Sequence, residues 1–186
     1  MATDTVPKPW GSLLADVDAL ASQPIDMHCI GGFAVTLHYS LMRPTGDIAV
    51  WHVIPPDAAG WLTKIAGEGT DLHRKHRVHV QVSPVATVPE DYERRLVEVH
   101  PGALEKLRIF VLDPYDLALS KLSRNADVDV EDVKHLARGL NLDLEILADR
   151  YHRELRPFLT GPVSRHDLTL KLWIEAITEE RDARGI

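Results

Sequence analysis

The chain has 186 residues, of which 45% are apolar and 26% charged, and its 21 Lys+Arg against 28 Asp+Glu give a net charge of −7 with histidines neutral. That composition excludes wholesale disorder, and a single cysteine excludes a disulfide-stapled scaffold. The net acidity argues against a protein whose main task is coating nucleic acid, although it leaves room for a local basic groove.

The length predicts one domain, or one domain with a helical appendage. Cys29 has no internal partner, which points to a reducing compartment. No apolar run approaches the roughly 20 residues of a membrane span. The opening MATDTVPKPWGS lacks the basic-then-apolar layout of a signal peptide, so a cytoplasmic protein is expected.

Residues 1–9 read as a loose leader. From Trp10, the spacing of Leu13, Leu14, Val17, Leu20 and Ala21 predicts a helix, with Ser12 as candidate cap and Pro24 as stop. Residues 26–30 read as a short buried strand, followed at once by Gly31-Gly32 and a helix over 33–41. A strand, glycine pair and helix in that order place backbone N–H groups at a helix start, where an anion can sit. The same glycines also serve a tight turn that packs the helix on its sheet.

After a turn at Pro44-Thr45-Gly46, residues 47–53 form the clearest strand. Period-2 alternation puts Ile48, Val50 and His52 on one face and Asp47, Ala49, Trp51 and Val53 on the other. Pro55-Pro56 ends the strand, 57–66 reads as a helix, and 67–75 reads as a polar connection. The most basic stretch, His73-Arg74-Lys75-His76-Arg77, reads as a solvated loop or strand entry. Residues 78–82 alternate as a third strand, and Pro89-Glu90-Asp91 opens a short helix over 89–96. Residues 97–99 then pair with 107–112 across Pro101-Gly102.

Beyond Asp113-Pro114 the pattern turns helical. A helix of about ten residues carries Leu117, Leu119 and Leu122. Further helices are expected over 128–140, ended by Gly139, and over 142–155, ended by Pro157. A last one covers 168–184 and is capped near Ser164 or Asp167. The predicted class is α+β: an α/β domain over 1–113 with a small mixed sheet, and a helical region over 114–186 packed on it.

Two stretches, IGGFAVTLHYSLMRPTGDIAVW and DPYDLALSKLSRNADVDVEDVKHLA, resemble nucleotidyltransferase-like proteins related to the AbiEii-type toxins of toxin–antitoxin systems. That resemblance implies a nucleotidyltransferase-like fold, a nucleotide and Mg²⁺ as cofactors, and an antitoxin-type protein as a partner. Nucleotidyl transfer uses two Mg²⁺ ions held by hard oxygen ligands. In the family these come from carboxylates at i and i+2 of one strand and a third on a neighbouring strand. Here Asp47 matches the first, Ala49 stands at the second, and the third strand offers His79 and Gln81. The implied metal site is therefore incomplete, with Asp47 as its remaining ligand and catalytic residue. The resemblance also implies nucleotide contacts from Gly31 and Gly32, from Arg43 and Thr45 leading into the acidic strand, and from Lys121, with Arg124 nearby in the cleft.

The residues admit other roles. Lys121 and Arg124 also read as surface charges bonded to Asp129 or Asp132, and Asp129, Glu131 and Asp132 as the acidic start of a helix. His73, His76 and His79 recur at intervals of three, but no HExxH or second cysteine supports zinc, and Cys29 reads as a buried structural thiol. Three functions follow. The favoured one is a nucleotidyltransferase-fold protein with lost or weakened catalysis that binds a nucleotide, another small molecule or a partner protein. The second is an active, toxin-like transferase acting on RNA or protein, with a replacement ligand such as Asp71, Glu90 or Asp113. The third is a regulatory helical interaction module. Nucleic acid as a partner stays open, and no membrane is expected.

Overall fold

A computed structural model describes residues 5–40, 45–82 and 86–185. The fold is α+β, and the chain divides into two compact units. The first comprises residues 1–85 and 96–112, and the second 86–95 and 113–186. The sequence boundary at 113 thus misses one excursion: residues 86–95 belong with the helices.

The first unit contains α1 (Trp10–Leu20), β1 (Ile25–Cys29), α2 (Gly31–Tyr39), β2 (Asp47–Ile54), α3 (Ala58–Ala66), α4 (Asp71–His76), β3 (His79–Val82), β4 (Val97–Val99) and β5 (Leu107–Val111). Its five-stranded sheet runs β3-β2-β1-β5-β4. The β1–β2 and β4–β5 pairs are antiparallel, and β1–β5 and β2–β3 are parallel. The three expected strands are neighbours in one mixed sheet, and 97–99 pairs with 107–111 as the turn residues predicted. One sheet face presents Met27, Cys29, Ile48, Val50, Val53, Val80, Ile109 and Val111, all buried, as are Leu13, Leu14, Val17, Phe33 and Leu62 of the helices. Asp18 ties α1 to the sheet: its carboxylate accepts the backbone N–H groups of Glu105, Lys106 and Leu107 at 2.8–3.0 Å.

Three local expectations change. First, β1 and β2 shift register between His28 and Cys29: His28 faces His52, while Cys29 faces Val50. Trp51 is the extra residue of a β-bulge, and a bulge reverses the alternation beyond it. Val53 therefore joins Ile48 and Val50 in the core, and His52 moves to the face of Asp47 and Ala49. Second, the polar connection contains α4. It has no apolar periodicity, but Thr70 caps it by accepting the His73 N–H, and Arg77 ends it at φ 62°. Third, α1 starts at Trp10 without a side-chain cap, so Ser12 does not serve as one.

The second unit contains a 3₁₀ turn (Tyr92–Arg95), α5 (Pro114–Leu119), α6 (Asp127–Leu140), α7 (Leu144–Arg150) and α8 (Val163–Arg184). The first of these helices is shorter than predicted, at six residues. The helix expected to reach residue 155 breaks after Arg150 into a wide turn over Tyr151–Leu155, just before Pro157, which a regular helix does not accommodate. Asn141, at φ 48°, ends α6 rather than Gly139. Neither Ser164 nor Asp167 caps α8, which already begins at Val163.

Buried charge explains why 86–95 joins this unit. Arg95 forks onto Asp116 at 2.8 and 3.1 Å and reaches Glu154 at 2.6 Å. Arg150 closes the network on Asp113 at 2.7 Å and Asp116 at 3.0 Å. Asp116 is fully buried. Removing one cation would strand that carboxylate in a low dielectric, so the network fixes the segment even where its net stabilisation is small.

Candidate functional site

The face of the sheet opposite the core carries the candidate site residues of β2 and β3. Asp47 starts β2 and lies in register with His79 of β3, and Ala49 lies in register with Gln81. Because registered residues of a parallel pair point the same way, these four side chains share one face. Thr45 Oγ1 donates to Asp47 Oδ1 at 2.7 Å, which fixes the carboxylate at the strand entry.

Gly31 opens α2 directly beside this face. Its φ of +71° is a left-handed conformation, and a Cβ built there would lie 3.3 Å from the Ala49 methyl. The Ile30 N–H donates to the Ala49 carbonyl at 2.9 Å, holding the helix start against the strand. No side chain caps the first turn of α2. Gly31, Gly32, Thr45, Asp47, Ala49 and His79 are thus brought together within the first unit. Arg43 lies outside the described residues.

His79 is the least conventional member. Its Nδ1 is buried without a hydrogen-bond partner, and its ring lies 4.8 Å from that of His73. His73 Nδ1 accepts the Gly69 N–H at 2.9 Å. His76, the middle member of the three-residue series, turns away to Asp16 at 2.7 Å. Among the described residues, no three His, Cys, Asp or Glu side chains form a group able to hold a metal ion. Cys29 is wholly buried, and burial pushes its thiol pKa up.

Lys121 and Arg124 belong to the second unit. Lys121 is buried, with Nζ 2.8 Å from Asp132 and 3.6 Å from Asp129. Arg124 Nε is 2.8 Å from Asp129. Asp129 also accepts the Ala126 N–H at 3.0 Å, so it caps α6 from within its first turn. Burial opposes ionisation of Asp129, but the bonds from Arg124 and Ala126 and the charge of Lys121 outweigh it and hold the carboxyl below its usual range. The proposed replacement ligands have other engagements. Asp113 caps α5 and pairs with Arg150, and Asp71 pairs with Arg74 on α4. Glu90 lies in the second unit, its N–H on the Glu154 carbonyl at 3.0 Å.

A family model described as "Nucleotidyltransferase of unknown function (DUF6036)" matches residues 12–177. The chain belongs to this nucleotidyltransferase family. The match spans both units, and it carries nothing specific to AbiEii-type toxins. No curated protein and no solved structure matches the chain. No described helix is long and apolar enough to cross a membrane.

The signal that sequence reasoning lacked is the approach of His73 to His79. Both residues stood out in the sequence, but the turn at Gly69 and Arg77 that folds α4 back onto β3 is built from left-handed backbone that no apolar period announces.

Proposed function

We propose that this chain is a nucleotidyltransferase-family protein whose metal-dependent catalysis is lost or weakened, and that the Asp47 face binds a nucleotide. The supporting observation is the strand register: of the four positions Asp47, Ala49, His79 and Gln81 on that face, one carries a carboxylate. Mg²⁺ takes oxygen ligands in near-ideal octahedral geometry, while imidazole suits softer metals, so this donor set fits Mg²⁺ poorly. The N–H groups at Gly31 and Gly32, with no side-chain cap at Ile30, remain suited to a phosphate. On this reading Lys121 serves the helical unit, since Asp132 and Asp129 already hold its ammonium.

The relation to AbiEii-type toxins, and with it an antitoxin-type partner, belongs to the same proposal. A protein partner on the Asp47 face is its other form. The second reading is an active transferase acting on RNA or protein, favoured by the family's own description.

Calorimetric titration with a nucleoside triphosphate, in EDTA and then in Mg²⁺, separates these readings. Without a metal, Asp47 repels the triphosphate, so Asp47→Asn should tighten binding in EDTA. The proposed reading expects metal-independent binding. Binding that requires Mg²⁺ and disappears in Asp47→Asn would support the active enzyme. No binding in either buffer would leave the partner-protein form.

A further inference from the structure

The helix α8 carries apolar residues on two opposite faces. One face is buried: Leu170, Trp173 and Ile177 pack into the helical unit, and Trp173 Nε1 donates to Asn125 Oδ1 at 2.9 Å. That attachment turns the other face outward. There Leu168 and Leu172, one turn apart, are 54% and 52% exposed. A single exposed leucine is ordinary, but these two sit in the middle of a regular seam. Arg165, Leu168, Leu172, Glu175 and Glu179 follow one another at spacings of three, four, three and four, and all five are exposed. At 3.6 residues per turn they fall within about 80° of one another, the stripe that a helix offers to a coiled-coil neighbour.

The seam is apolar at its centre, basic at one end and acidic at the other. Among the described residues, Arg165 pairs with no carboxylate, and Glu175 meets only Lys171, at 3.7 Å in an exposed pair that contributes little. Such a surface is complementary to itself when turned end to end. In an antiparallel pair that stacks Leu168 on Leu172 of the partner subunit, Arg165 lies opposite Glu175 of the partner subunit, and the two-fold axis repeats both layers. A parallel pair would instead set Arg165 against Arg165 of the partner subunit. Sliding the antiparallel pair by one heptad would set Leu168 against a charged residue, Glu179 or Arg165 of the partner subunit. One orientation and one register therefore satisfy the seam.

We propose that the outer face of α8 is a homodimer interface, an antiparallel helix pair between two copies of this chain with a leucine centre and two Arg165–Glu175 bridges. The seam is narrow and about 21 Å long, which fits a weak, exchanging dimer below the roughly 1,200 Å² of stable complexes. The proposal is independent of what the Asp47 face binds.

Sedimentation equilibrium of the full chain at low salt, from about 10 μM to about 1 mM, tests it. The chain should exchange between monomer and dimer, with a dissociation constant above about 1 μM. Leu168→Asp should leave a monomer throughout. Arg165→Glu and Glu175→Arg should each weaken association by about tenfold or more, because each sets like charges together twice across the two-fold. The double variant Arg165→Glu/Glu175→Arg should recover to within about threefold of the natural protein. All three positions are exposed, so circular dichroism of every variant should match the natural protein. A monomer at every concentration would overturn the proposal and leave the stripe to a different protein. So would a dimer that survives Leu168→Asp, or single charge reversals whose loss the double variant fails to recover.

Discussion

Restoring the two missing acids turns the strand register into a measurement. In the double variant Ala49→Asp/His79→Asp, two new carboxylates join Asp47 on one face of two strands about 4.8 Å apart. The Ala49 methyl lies 3.3 Å from where a Gly31 Cβ would sit, so the longer side chain must aim away from Gly31 and over the sheet. Carboxylates about 6 Å apart repel by about 3 kcal/mol at an effective dielectric constant near 20. The repulsion favours the protonated form of one carboxyl and raises its titration by about two pH units above the unfolded value near 4. A carboxyl raised in the folded state costs nothing below pH 4, and its penalty grows as pH rises from about 4 to about 6. At pH 7 without metal the variant should lose about 3 kcal/mol in urea unfolding, with an unchanged slope. Mg²⁺ at about 100 times its dissociation constant should return about 2.7 kcal/mol. The natural protein should gain little from Mg²⁺, and each single variant should fall between. A metal-free double variant as stable as the natural protein would refute the shared face, and so would one indifferent to Mg²⁺.

Other outcomes follow from buried and strained positions. Lys121→Ala leaves Asp132 and Asp129 without their shared ammonium and should cost about 3–5 kcal/mol in urea unfolding. Gly31→Ala places a side chain at φ +71° against Ala49 and should cost about 1–2 kcal/mol by the same assay. Arg156 and then Tyr151 hold the Asp167 carboxyl down to about 2. Its folded value is depressed, so its stabilisation is full above about pH 4 and is lost as pH falls through the folded value. Carboxyl NMR should show a larger upward move of that midpoint in Arg156→Gln than in Tyr151→Phe.

The sheet was legible because buried strands announce themselves by apolar runs and alternation, as residues 26–30, 47–53 and 78–82 do. The candidate site was legible in part, through the glycine pair after β1 and the acid that opens β2. What stayed hidden depends on contacts distant in the chain. The bulge at Trp51 is set by how β1 pairs with β2, so alternation alone placed His52 and Val53 on the wrong faces. The helix α4 is six residues of charge and histidine, held by a threonine cap and packing rather than by an apolar stripe. Residues 86–95 join the helical unit through Arg95 and its carboxylates at Asp116 and Glu154, 21 and 59 residues away. Lys121 read equally well as a nucleotide contact or an ion-pair partner, because i, i+3 charge spacing does not say which side chain is buried.

The most direct test of the central claim is nucleotidyl transfer itself. The natural protein and Asp47→Asn are each incubated with triphosphates labelled at the α-phosphate, in Mg²⁺ and in Mn²⁺, with RNA and protein acceptors. With one carboxylate on the strand face, the account predicts no label transferred by the natural protein above the Asp47→Asn level in either metal. Robust metal-dependent transfer by the natural protein, abolished in Asp47→Asn, would contradict it.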